Sequence, residues 1–168
     1  MSSTGEVGCL ADDYSEALLL SMLATGYKIP SKDKAVMISS GEAKSKVQLL
    51  NAARQLYKSG YTIYASAGTA RFLQDNDIQA TPTLWPDEDA QSPNNVLTLI
   101  GQHRFDLVVN IPKNHTTREL TNGYRIRRAA IDHNVPLITN ARLASAFINA
   151  FCTVPVDALP IKSWSEYE

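Results

Sequence analysis

The stretch Tyr64-Ala65-Ser66-Ala67-Gly68-Thr69-Ala70-Arg71 holds the residue types best suited to chemistry. A β-rich run ending at Tyr64 leads into small and hydroxyl residues, and an amphipathic helix is expected to start near Thr69. Small side chains let an anion approach the backbone, and Ser66 and Thr69 add hydroxyl donors. The helix N-terminus supplies free N–H groups and the positive end of its dipole. The chemistry would be the binding of a phosphate or a carboxylate. The same residues would also make an ordinary strand-to-helix turn capped by Thr69. The stretch lacks the glycine spacing of nucleotide-binding loops.

The elements that must position this turn alternate between strand and helix from residue 33 onward. Ala35-Val36-Met37-Ile38 is a short apolar run suited to a buried parallel strand. Leu49, Leu50, Ala53, Leu56 and Tyr57 fall at helical spacing, closed by Ser59-Gly60. A second strand covers residues 61–65, and its helix carries Ala70, Phe72 and Leu73 before Asp75-Asn76-Asp77 stops it. A third strand is expected within residues 79–84, where Pro82 and Pro86 confine it to an edge or make it short. Ser92-Pro93 reads as the cap and first turn of a helix through Val96, Leu97, Leu99 and Ile100. Leu107-Val108-Val109-Asn110 is a fourth strand, running into a polar loop over residues 112–122. A helix with Tyr124, Ile126, Ala129 and Ala130 follows, then a strand at Val135-Pro136-Leu137-Ile138 and a last helix capped by Asn140. This alternation predicts an α/β fold: a three-layer, Rossmann-like arrangement of about five mainly parallel strands with helices on both faces. Ligands of such sheets sit outside the carboxyl ends of the strands. Those ends carry Ser66, Trp85, Asn110 and Thr139-Asn140.

The beginning of the chain is less regular. Ser2-Ser3-Thr4-Gly5-Glu6 is polar, and a helix capped by Asp12 or Asp13 carries Ala17, Leu18, Met22 and Leu23 on one face. Residues 27–33 read as a linker. The helix has nothing evident to bury against, as expected of the tail of a preceding domain. At 168 residues and 44% hydrophobic content, the chain fits one compact domain. A net charge of −1 gives no electrostatic footprint for nucleic acid or an anionic membrane. Cys9 and Cys152 form no metal-ligand or redox spacing, so a reducing compartment is expected. No apolar run approaches the roughly 18–20 residues that span a bilayer, and there is no signal-peptide core.

Several motifs together carry a family resemblance. Ser3-Thr4-Gly5-Glu6-Val7 resembles the segment that closes the second ATP-grasp unit of carbamoyl phosphate synthetase large subunits. Thr25-Gly26-Tyr27-Lys28-Ile29-Pro30, Leu84-Trp85-Pro86, Tyr124-Arg125-Ile126-Arg127-Arg128 and Pro136-Leu137-Ile138-Thr139-Asn140 are similar to signatures at matching spacing in that family's C-terminal domain. The resemblance implies a methylglyoxal-synthase-like fold over residues 33–168, with residues 1–32 as the tail of the ATP-grasp region and a linker helix. It implies a regulatory role: an anionic effector, either a nucleotide monophosphate or a molecule like N-acetylglutamate, binds and biases the synthetase.

Effector positions carry over residue by residue. Lys46 falls where nucleotide-regulated members place a phosphate-binding lysine; without the family, it reads equally well as a solvated helix residue. Ser66 and Thr69 match two hydroxyl positions that contact the effector, with Ser66 standing where Thr is usual. Trp85 matches an aromatic position of N-acetylglutamate-activated members, where nucleotide-regulated bacterial members carry a lysine; a Trp between two prolines also suits a core or hinge. Asn110 matches an effector-contacting Asn. Lys113, Asn114 and Asn122 complete the expected site, although Lys113 replaces an Asn and one inserted residue leaves Asn122 or Gly123 opposite another.

The fold's namesake is a lyase acting on dihydroxyacetone phosphate, which needs an anion site and a carboxylate base. Pro93 stands where that enzyme has its catalytic Asp, and Glu119 falls near the position of its catalytic His. Asp87, Glu88 and Asp89 form a nearby acidic run, of the kind usually just solvated. The expectation is therefore a kept anion site and a lost base, with no catalytic residue, metal or cofactor in this segment. A whole synthetase would use ATP and Mg or Mn. Its expected partners are the rest of the large chain and the glutaminase subunit, in the cytoplasm, or in the mitochondrial matrix for a parent of the urea-cycle type. A third reading makes the N-terminal helix and the tail at residues 162–166 docking surfaces.

Overall fold

The computed structural model describes residues 5–113, 116–159 and 162–166. In chain order it builds α1 (Tyr14–Ala24), β1 (Ala35–Ser40), α2 (Ala43–Lys58), β2 (Thr62–Ser66), α3 (Ala67–Gln74) and β3 (Thr81–Thr83). There follow α4 (Val96–Gly101), β4 (Phe105–Ile111), α5 (Thr117–Asp132), β5 (Leu137–Ile138) and α6 (Ala141–Thr153). The five strands pair in the order β3-β2-β1-β4-β5, and every pairing is parallel.

Side chains of a strand alternate between faces, and this alternation divides the interior in two. Val36 and Ile38 of β1 join Ile63, Leu107 and Val109 in a core shared with α1, α2, α3 and α6. Ala35 and Met37 face the other way, into a smaller core with Phe105, Val108, and residues of α4 and α5. Both faces of the sheet are thus covered, which is why its strands read as continuous apolar runs. Pro82 lies in β3, at the edge of the sheet, where its missing N–H costs no ladder bond. No described helix is long and apolar enough to cross a membrane.

The largest departure from the sequence reading is α1. Asp13 caps it by accepting from the Glu16 N–H, but the helix does not lack a partner. It packs on α6, with Leu19 wholly buried and Met22 nearly so. Tyr27, expected in a linker, donates its hydroxyl to the Leu137 carbonyl at 2.8 Å and sets its ring edge-on to Phe147. Full burial of one leucine contributes about 1.5–3 kcal/mol, so α1 is part of this domain's core. At the other end, Lys162 forms an ion pair with Asp12.

Candidate functional site

The order of the strands reverses at β1: the chain runs outward through β2 and β3, then returns to place β4 on the other flank of β1. At such a switch point the loops leaving the two central strands diverge and open a crevice. A cavity of about 210 Å³ lies there. Its lining draws Ser39, Ser40 and Gly41 from the end of β1, Lys46 from α2, and Ser66, Gly68 and Thr69 from the β2–α3 turn. Asn110, Ile111, Pro112 and Lys113 come from the end of β4, Glu119, Asn122, Gly123 and Ile126 from α5, and Trp85 from the loop after β3.

One wall is built to donate. Helix α3 starts at Ala67, earlier than expected, and its N-cap Ser66 makes no side-chain capping bond. The N–H groups of its first turn therefore have no partner within the helix. Thr69 is buried and does not cap: its hydroxyl donates to the Ser40 carbonyl and accepts from the Ser40 N–H, both at 3.1 Å. Ser66 donates to Thr69 at 3.1 Å and accepts from Ser39 at 3.2 Å. This hydroxyl chain fastens the end of β1 to the first turn of α3. Lys46 reaches over from α2 and donates from Nζ to the Gly68 carbonyl at 3.0 Å. An ammonium beside an uncapped helix start is a setting for an anion.

The opposite wall is mixed. Lys113 Nζ lies 3.1 Å from Glu119 Oε1, and that bond, helped by Thr116, holds the Glu119 carboxyl below its usual range despite partial burial. Asn110 accepts from the Arg127 guanidinium at 2.9 Å, and a side chain at Gly123 would crowd that guanidinium. A Cβ on Gly41 would overlap the Lys113 side chain and stand 3.0 Å from its Cα, so the loops leaving β1 and β4 touch only because Gly41 is bare. Five buried side-chain atoms among the described residues have no hydrogen-bond partner. Three of them, Ser40 Oγ, Glu119 Oε2 and Asn122 Oδ1, belong to residues lining this cavity. Such atoms are costly unless something meets them.

The loop carrying Trp85 is anchored from two sides. Asn95, not Ser92, caps α4 by accepting from the Leu97 N–H, while its amide donates to the Trp85 and Asp89 carbonyls. From α5, Asn122 donates to Asp87 at 2.7 Å, Arg125 donates to the Pro86 carbonyl, and Arg118 pairs with Asp87. The Arg118 bond comes first among the causes that lower the Asp87 carboxyl pKa. The Arg118 guanidinium also stacks 5.6 Å from the Trp85 ring centre.

Of the eight positions expected from the sequence, Lys46, Ser66, Thr69, Trp85, Asn110, Lys113 and Asn122 line this one cavity. Asn114 lies outside the described residues. Asn122 sits within α5 rather than in a loop, because α5 begins at Thr117. Asn140, at the end of β5, is spent on capping α6. The sequence reading missed Ser39, Ser40 and Gly41, although the carboxyl end of β1 was a legible place to look. It also gave Glu119 no place in the ligand site.

The family model described as the MGS-like domain matches residues 48–139. The chain belongs to the MGS-like domain family. The multifunctional protein CAD of Squalus acanthias is 37% identical over 97% of this chain, which spans 8% of that protein. The mitochondrial carbamoyl-phosphate synthase [ammonia] of Homo sapiens is 36% identical over 89% of the chain and 10% of its own length. The multifunctional protein URA2 of Saccharomyces cerevisiae is 38% identical over 89% and 7%, respectively. The chain thus spans a tenth or less of these relatives. A methylglyoxal synthase from Elizabethkingia anophelis shares the fold, with a TM-score of 0.54 at 11% identity over 76% of this MGS-like domain and 82% of that chain.

Proposed function

We propose that this MGS-like domain is the non-catalytic effector-binding module of a carbamoyl phosphate synthetase large chain, the ATP-dependent ligase that makes carbamoyl phosphate for pyrimidine or arginine synthesis. The observation that carries the reading is the switch-point cavity, with Lys46 and the uncapped start of α3 on one wall and Ser40 Oγ unpartnered beside them. Lys46, Ser66, Thr69, Trp85, Asn110, Lys113 and Asn122 surround an anionic effector. The Ser66 hydroxyl turns its hydrogen toward it by giving up the donation to Thr69, since hydroxyl hydrogens rotate. Residues 1–32 lead from the preceding ATP-grasp region into this domain, with α1 docked on α6. The rest of the large chain and the glutaminase subunit receive the signal, because an effector biases states only through differential contacts.

A lyase of the methylglyoxal synthase type is the second reading, favoured by the shared fold and by a carboxylate in the cavity. The electrostatics weigh against it. The Lys113 bond lowers the Glu119 pKa, which weakens it as a base, and Asp87 is held by Arg118 and Asn122. Thermal-shift measurements with UMP, IMP, N-acetylglutamate and inorganic phosphate test the binding reading. Ligand at 100 times its dissociation constant adds about 2.7 kcal/mol of stability. No shift with any of the four would refute effector binding by this domain.

A further inference from the structure

The cavity has a second polar character that an anion alone does not satisfy. Glu119 Oε2 and Asn122 Oδ1 are buried and without partners, and both residues line the cavity. Asn122 is 1% exposed, and its amide nitrogen is committed to Asp87, so its carbonyl oxygen has only acceptance to offer. Glu119 is an ionised carboxylate, with Oε1 on Lys113. It stands three residues after the α5 cap, Thr116, whose hydroxyl accepts from the Glu119 N–H. That spacing is a capping box and accounts for a Glu here. It leaves Oε2 unmet all the same.

We infer that Glu119 and Asn122 form an acceptor wall that sets the specificity of the site: its occupant pairs an anionic head with hydroxyl or N–H donors and carries no second carboxylate. The inference rests on the effector-binding reading and deepens it. A cavity of about 210 Å³ has room for more than one head group, since a single water takes roughly 10–15 Å³ on the same scale. With the head at Lys46 and the start of α3, the remainder of the ligand meets Oε2 and Oδ1. A hydroxylated phosphomonoester gives each acceptor a donor. A dicarboxylate sets its second charge against the Glu119 carboxylate, a like-charge contact in a partly desolvated site. Lys113 is engaged on the Oε1 side of that carboxylate, so a second carboxylate on this wall would meet the acceptor edge at Oε2.

Isothermal titration of the protein with ribose 5-phosphate, inorganic phosphate and N-acetylglutamate tests this, alongside Glu119→Gln. Glutamine also serves at that position of a capping box, so the variant keeps the helix start. The wild-type protein is expected to bind ribose 5-phosphate about tenfold or more tighter than inorganic phosphate, as suits hydrogen bonds to a charged acceptor. N-acetylglutamate should bind more weakly than ribose 5-phosphate. In Glu119→Gln the preference for the sugar phosphate over inorganic phosphate should collapse, and N-acetylglutamate should bind more tightly than to wild type. Equal wild-type affinities for the two phosphates, or a preference unchanged by the substitution, overturn the acceptor wall and leave anion binding standing. A wild-type protein that binds none of the three overturns both.

Discussion

Removing the Lys46 ammonium should separate binding from folding. A unit anion about 4 Å from Nζ gains roughly 4 kcal/mol at the effective dielectric of a protein surface. Against that, the ammonium gives up or shares its bond to the Gly68 carbonyl. The net should match a hydrogen bond to a charged group, about 1.5–3 kcal/mol, so Lys46→Ala should raise the dissociation constant of a nucleotide effector by roughly 10- to 150-fold. Stability should change by no more than about 0.5 kcal/mol. Lys46 is only half-buried on α2, and the Gly68 carbonyl it releases stays within reach of water. Titration calorimetry gives the first quantity and urea denaturation the second. Trp85→Ala should then matter less than Lys46→Ala. If the effector resembles N-acetylglutamate, the order reverses, because the aromatic wall does more of the holding. Negligible effects of both substitutions, or a binding loss matched by a stability loss, would refute the placement of the site.

Other expectations follow from the packing and the titrating groups. Leu19→Ala should cost about 2–5 kcal/mol, the range for a fully buried leucine; a change below about 0.5 kcal/mol in urea denaturation would mean that α1 is only appended. Burial raises the Tyr27, Tyr61 and Cys152 pKa values above their usual ranges. Raised values give stability that is complete below the unfolded pKa and lost as pH rises through the folded one. The urea midpoint should thus hold to about pH 8 and fall above it, first with Cys152 and then near pH 10 with the tyrosines. Tyr27→Phe should flatten part of that fall, and a midpoint that climbs between pH 9 and 11 would contradict the linkage. With Glu119 tied to Lys113 and Asp87 to Arg118, dihydroxyacetone phosphate should yield methylglyoxal no faster than buffer alone. Phosphate-inhibitable production that Glu119→Gln abolishes would instead make the domain a lyase.

Much of this was legible because burial on both faces leaves continuous apolar runs in β1 and β4, and helical spacing in α2 and α6 is dense. The strand-end rule then brought Ser66, Trp85 and Asn110 to one place. Capping was harder to read, because hydroxyl and amide residues have more than one local use. Thr69 resembles a cap but is drawn to Ser40 across the sheet, a bond between residues 29 apart in sequence. Asn95 displaced Ser92 as the α4 cap because its amide also finds carbonyls of the Trp85 loop. The weak amphipathic pattern of α1 hid its packing on α6, since that partner lies more than 100 residues away. Glu119 was read only against a catalytic position. That Oε2 stays unpartnered follows from the arrangement of Lys113 and Thr116, which spacing does not convey.

On the proposed reading, the switch-point cavity receives an anion at the start of α3. The most direct measurement is an amide NMR titration of the protein with inorganic phosphate, followed by the same titration of Lys46→Ala. Saturable shifts are expected at the Gly68 and Thr69 amides, accompanied by Ser40 and much weakened without the Lys46 ammonium. Saturable shifts confined to residues elsewhere, with Gly68 and Thr69 unmoved, would contradict it.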